Sequence, residues 1–113
     1  DERMTANLDT DLGAKFEAAR EALRASDLVI VHVKGADIAA HDRRPDLKVD
    51  FLERLDRTLG EFLDQREGDL RVAVASDHST LSESGQHAAA PCWRGGLRRE
   101  FLLHRPKMHL QFL

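Results

Sequence analysis

Apolar residues at the start of this chain recur at steps of three and four. Leu8, Leu12, Phe16, Ala19 and Leu23 share one helical face, which predicts a helix from about Asp11 to Ala25, stopped by Ser26-Asp27. The pattern then changes. Leu28-Val29-Ile30-Val31-His32-Val33 is a nearly continuous β-branched run, which reads as a strand covered on both faces, with His32 as a buried, hydrogen-bonded core residue. Lys34 to Arg44 reads as a loop, or a loop with a short helical turn. Pro45 suits the first turn of a second helix, whose apolar side carries Leu47, Phe51, Leu52, Leu55, Leu59, Phe62 and Leu63. Gly60 interrupts that helix at a cost of about 1 kcal/mol relative to Ala, which suggests a close neighbour there. Leu70 to Ser76 is a second strand. Beyond Gly85 the pattern weakens, with short strands expected at Glu100–Leu103 and Met108–Leu113.

Strand, helix, strand with a long crossover is a parallel βαβ unit with flanking helices, so the class is α/β. In such sheets ligands bind outside the carboxyl ends of the strands. Asp37 and His41 follow the first strand and Asp77-His78 follows the second; the polar loop holding Ser79, Thr80, Ser82, Ser84 and Gly85 can return His87 to the same edge. Asp-x-x-x-His, Asp-His and a further His are carboxylate and imidazole ligands of the kind Zn²⁺, Mn²⁺ or Fe accept. The plainer alternative is that these are solvated loop residues, with Asp77 capping a following helix. Strand-end placement of both acidic motifs favours the metal.

Composition narrows the remaining classes. The chain has 113 residues, 33% charged and 42% hydrophobic, ordinary for a globular domain or part of one. Aromatics are 5% with no Tyr, which gives no stacking platform for nucleic acid. No apolar run is long enough to span a bilayer. One cysteine, Cys92, excludes an intrachain disulfide and favours a reducing cytoplasm. The net charge of −3 is uneven. From Cys92 onward five basic residues face Glu100 alone, leaving an acidic body and a basic tail. Such a tail either binds an anionic partner or folds back on the body, and the second is preferred.

The stretch from Val31 to Asp42, with Pro45, Lys48 and Glu53-Arg54-Leu55-Asp56, resembles the archaeal-type cofactor-independent phosphoglycerate mutases of the alkaline phosphatase superfamily. Ala75-Ser76-Asp77-His78-Ser79-Thr80 looks like that family's second metal motif, and Gln86-His87 with Pro91 looks like its third. Thr5 to Asp11 resembles the segment that precedes them. The resemblance implies a partial alkaline-phosphatase-like core in residues 1–91. It implies two divalent ions (Mn, Zn or Mg), one held by Asp37, His41 and His87 and the other by Asp77 and His78, with Lys34 near the phosphate. The implied substrate is a phosphorylated small molecule such as phosphoglycerate, interconverted between its 3- and 2-forms through a phosphoserine. The family's nucleophilic Ser and an amino-terminal Asp ligand have no counterpart here. Residues 92–113 depart from the family, which suggests a divergent or frameshifted tail on a carboxy-terminal fragment, incomplete alone. A small metal-dependent phosphohydrolase and a non-catalytic, self-associating (homo-oligomeric) module remain the alternatives.

Overall fold

The computed structural model describes residues 2–66, 68–76, 78–88, 94–97 and 107–112, the last two stretches in backbone only. The first helix, α1, spans Leu12–Ala22 and starts at Asp11, whose carboxylate accepts the Ala14 N–H at 2.8 Å. Before it, Thr10 is fully buried, with its hydroxyl donating to the Thr5 carbonyl at 2.8 Å. Strand β1 is Leu28–Val33, as the apolar run predicts. A short helix, α2 (Gly35–His41), comes next, and then the 20-residue α3 (Pro45–Asp64), with Pro45 in its first turn. Strand β2 is Arg71–Ser76. The two-residue strands β3 (Ser79–Thr80) and β4 (His87–Ala88) pair as a separate hairpin. Strands β5 (Arg94–Leu97) and β6 (Lys107–Phe112) complete the main sheet.

That sheet runs in the order β1-β6-β2-β5. Strand β6 is parallel to both β1 and β2, while β5 pairs antiparallel with β2. The expected α/β class with parallel β1 and β2 is therefore what the chain adopts, with β6 lying between those two strands. The segment after Cys92 contributes β5 and β6 to the sheet of the body. The other strand expected there, Glu100–Leu103, lies outside the described residues.

The core forms where α1 and α3 meet one face of the sheet. Phe16, Phe51, Leu55 and Phe62 pack with Val31, Val33 and Val72. The rings of Phe16 and Phe62 lie 5.2 Å apart in a tilted pair. Gly35 lets α2 approach α3. A Cβ there would stand 2.3 Å from a ring carbon of Phe51, closer than real side chains come.

Four sequence expectations need correction. Among the described residues β1 is an edge strand covered on one face: Val31 and Val33 are buried, while Leu28 is 53% and Ile30 57% exposed. His32 lies on that same open face and is exposed rather than buried; its backbone carbonyl accepts from Lys15 Nζ at 3.0 Å. Burial lowers the ammonium pKa of Lys15, since removing water disfavours the charged form. Leu52 is 42% exposed because, one position after the buried Phe51, it is turned about 100° away from the core. Among the described residues, its chain neighbours and own helix backbone apart, no atom lies within 4 Å of the position a Gly60 Cβ would take, so none of them explains it as a close neighbour.

Candidate metal centre

Each ligand motif is brought to the carboxyl end of the sheet by the element that precedes it. Lys34 follows β1 directly and opens α2; its backbone carbonyl accepts from the N–H groups of Asp37 and Ile38. The segment is thus a helix rather than a loop, made of small helix-compatible residues (Ala36, Ala39, Ala40) that show no long apolar face in sequence. In that helix Asp37 and His41 stand one turn apart, and His41 Nε2 lies 3.3 Å from Asp37 Oδ1. His78 comes two residues after the end of β2. Asp77 lies outside the described residues.

The third motif arrives through the hairpin. Thr80 and His87 sit directly opposite one another in the β3–β4 register. The connecting loop is closed by Leu81 N–H to the Gln86 carbonyl at 2.9 Å and by Gly85 N–H to the Leu81 carbonyl at 2.7 Å. Gly85 has φ +69°, a left-handed conformation that glycine adopts without strain. Its carbonyl oxygen lies 2.7 Å from His41 Nδ1. From α3, Lys48 Nζ donates to the Thr80 carbonyl at 3.0 Å and anchors the hairpin to the helical layer.

Four of the five expected ligands therefore converge. His87 Nε2 is 3.2 Å from His41 Nε2, and the His87 and His78 rings stack with centroids 3.8 Å apart. Asp37, His78 and His87 each offer a ligand atom within 4.8 Å of the others. Asp37 is buried, with 7% of its surface exposed, and its Oδ1 accepts the Thr80 hydroxyl at 2.7 Å. Sequence reading placed Thr80 in the polar loop and at the end of the second motif, with no role of its own. The signal available was its position two residues after His78, on the strand that returns towards His87.

The donor set fits a cation on chemical grounds. A carbonyl oxygen only accepts, so His41 Nδ1 must carry the proton that points at Gly85. In the neutral ring the lone pair is then on Nε2, which lies 3.3 Å from Asp37 Oδ1 and 3.2 Å from His87 Nε2. Two acceptor atoms, one imidazole nitrogen and one carboxylate oxygen, thus lie close together, and a cation beside them makes the contact favourable. Imidazole and carboxylate donors together suit borderline divalent ions such as Zn²⁺ and Mn²⁺. Lys34 stands at the same rim of the sheet by its position after β1.

These features define an α/β domain with a metal-binding group at the carboxyl edge of its parallel strands. Residues 3–93 match the Metalloenzyme superfamily, and the chain belongs to that family. Curated relatives are archaeal 2,3-bisphosphoglycerate-independent phosphoglycerate mutases. That of Picrophilus torridus is 36% identical over 90 residues, and that of Methanopyrus kandleri 41% identical over 108. These alignments take in 80% and 88% of this chain but only 22% and 25% of the relatives, so the chain spans about a quarter of their length or less. The solved structure of the PH0037 protein from Pyrococcus horikoshii superimposes with a TM-score of 0.75 at 30% identity, over 97% of this chain and 37% of that one. The fold is accordingly the partial alkaline-phosphatase-like core that the sequence resemblance implied.

Proposed function

We propose that this chain is the metal-holding carboxy-terminal portion of a phosphoglycerate mutase of the 2,3-bisphosphoglycerate-independent type. Asp37, His41 and His87 hold one divalent ion, Asp77 and His78 a second, and Lys34 contacts the phosphate of a phosphorylated small molecule. The supporting observation is the acceptor-to-acceptor contact of His41 Nε2 and Asp37 Oδ1, set by the Gly85 carbonyl on the far side of the ring. Divalent ions bound there would neutralise charge on a phosphoryl group in transfer. The residues of this chain supply the rest of the rim. Asp37 and His41 are held on one helix face, and the hairpin covers them with His87.

A covalent phosphoserine step needs a serine whose hydroxyl is poised at the site. The Ser76 hydroxyl donates to the His78 carbonyl at 2.8 Å, and the Ser84 hydroxyl accepts the Gln86 N–H, so both serve local backbone. Because no serine of this chain matches the nucleophile that the resemblance implies, we expect no mutase turnover from it by itself. Equilibrium dialysis against Mn²⁺ or Zn²⁺ tests the metal assignment: uptake should approach two ions and be lost in the Asp37→Ala, His78→Ala double variant. Unchanged uptake in that variant would refute it. Conversion of 3-phosphoglycerate by the pure chain would overturn the incompleteness, and slow hydrolysis of a generic phosphate ester would favour a metal-dependent phosphohydrolase.

A further inference from the structure

We infer that Thr80 is a positioning residue that joins two of the ligand motifs into one hydrogen-bonded unit and fixes which nitrogen His78 presents. The inference rests on the metal-centre reading above and adds to it a residue that is not itself a ligand. A threonine hydroxyl has one hydrogen to donate and lone pairs with which to accept. Asp37 Oδ1, 2.7 Å from Thr80 Oγ1, belongs to a carboxylate, which in its ionised form only accepts, so the hydroxyl hydrogen is committed there. His78 Nδ1 lies 3.1 Å from the same oxygen. Because that oxygen has no second hydrogen, it must accept, and His78 Nδ1 must carry a proton. The lone pair of the neutral ring then sits on Nε2.

This is the reverse of what histidine favours in water, where the neutral ring prefers its proton on Nε2. Thr80 thus selects the minor tautomer. The choice is built into the fold rather than into a flexible side chain. Thr80 is buried, its β-branched side chain has few rotamers, and its backbone is held by Lys48 on one side and by pairing with His87 on the other. One hydroxyl therefore orients the acid of the first motif and sets the tautomer of the imidazole of the second. Partners of this kind, which fix ring orientation and tautomer, typically change metal affinity by 10–100-fold when removed.

The test compares Thr80→Val, which keeps the shape and removes the hydroxyl, with Thr80→Ser, which keeps the hydroxyl. Long-range ¹⁵N–¹H correlation spectra of metal-free, histidine-labelled protein in mildly alkaline solution report the tautomer directly. Wild type and Thr80→Ser should show His78 protonated at Nδ1, and Thr80→Val should move the proton to Nε2. Calorimetric titration with Mn²⁺ should show about a 10–100-fold weaker affinity for Thr80→Val and recovery in Thr80→Ser. His78 protonated at Nε2 in the wild type would overturn the inference, even if Thr80→Val fails to fold. So would Thr80→Val retaining both wild-type tautomer and affinity. A wild-type chain that takes up no metal would refute the metal centre, and the tautomer spectra would still decide the role of Thr80.

Discussion

Replacing Gly85 by Ala should disturb stability and metal affinity together, and the size of both effects follows from two features of the loop. Gly85 has φ +69°, where an L-residue with a Cβ costs roughly 1–2 kcal/mol. The added Cβ would also stand 2.7 Å from the carbonyl oxygen of His41 and 3.5 Å from its carbonyl carbon. Those are backbone atoms at the end of α2, so no side-chain rotation relieves the clash and either the helix end or the loop must move. Forcing an extra methyl into such a contact costs about 1–3 kcal/mol. Together the expected loss is about 2–5 kcal/mol. At roughly 4 °C or more per kcal/mol for a domain near this size, Tm should fall on the order of 10 °C or more.

The same movement pulls the Gly85 carbonyl away from His41 Nδ1, its partner at 2.7 Å. Loss of that orienting bond should weaken Mn²⁺ binding by about 10–100-fold. Thermal unfolding monitored by circular dichroism and Mn²⁺ calorimetry on the same preparations measure the two effects. Gly85→Ala with wild-type Tm and wild-type affinity would refute the idea that this loop positions the His41 ring.

The other glycines and the helix start give further expectations. Gly60→Ala, with empty space around the new methyl inside α3, should stabilise by about 0.4–1 kcal/mol in a urea titration; a loss would mean a neighbour is closer than the fold shows. Phe51→Ala, which empties the side chain packed on Gly35, should cost about 3–5 kcal/mol and lower the urea midpoint accordingly. The Asp46 carboxyl is pulled down to about 2 by the hydrogen bonds it accepts from Arg44 across the start of α3. A carboxyl whose pKa is lower in the folded state stabilises that state above its ordinary range and stops doing so as pH falls through about 2. Titration followed by carboxyl-carbon NMR should find that value, and Arg44→Gln should move it back towards ordinary carboxylates. An unmoved value would show that Arg44 is not its cause.

Much of the fold was legible because single elements are marked by local chemistry. The β-branched run Leu28–Val33 and the Pro45 start of α3 define their elements with no tertiary information. What local pattern does not encode is which element lies beside which. An apolar strand looks the same whether one face or both are covered, so His32 reads as buried although it faces out from an edge strand. The insertion of β6 between β1 and β2 is likewise a property of the assembled sheet. α2 reads in sequence as no more than a short helical turn because seven residues, with Ile38 the one large apolar side chain, are too few to show a helical period. In the site, the convergence of Asp37, His41, His78 and His87 was readable from residue type and strand-end position. Thr80 was not, because its role depends on two contacts, one of them with a residue 43 positions away.

The hairpin explains why such distant motifs meet. Its register sets Thr80 opposite His87, and its loop delivers the Gly85 carbonyl to His41. Three short stretches of chain thereby position one another around Asp37. The sheet supplies the rim on which two of the motifs start, and α3 ties the hairpin down through Lys48. Leu28 and Ile30 remain on the open face of β1, away from the covered core. Ile30→Lys should therefore leave stability within about 0.5 kcal/mol, as surface substitutions do. A larger loss in urea unfolding would show that this face is covered.

The most direct measurement is Mn²⁺ titration of the dialysed chain by calorimetry, with Asp37→Ala alongside. Saturable uptake by the wild type, with at least one ion fewer once the buried carboxylate of Asp37 is removed, is the result expected. No heat and no uptake from a folded wild-type chain, or equal uptake by both proteins, would contradict the metal centre on which the functional account depends.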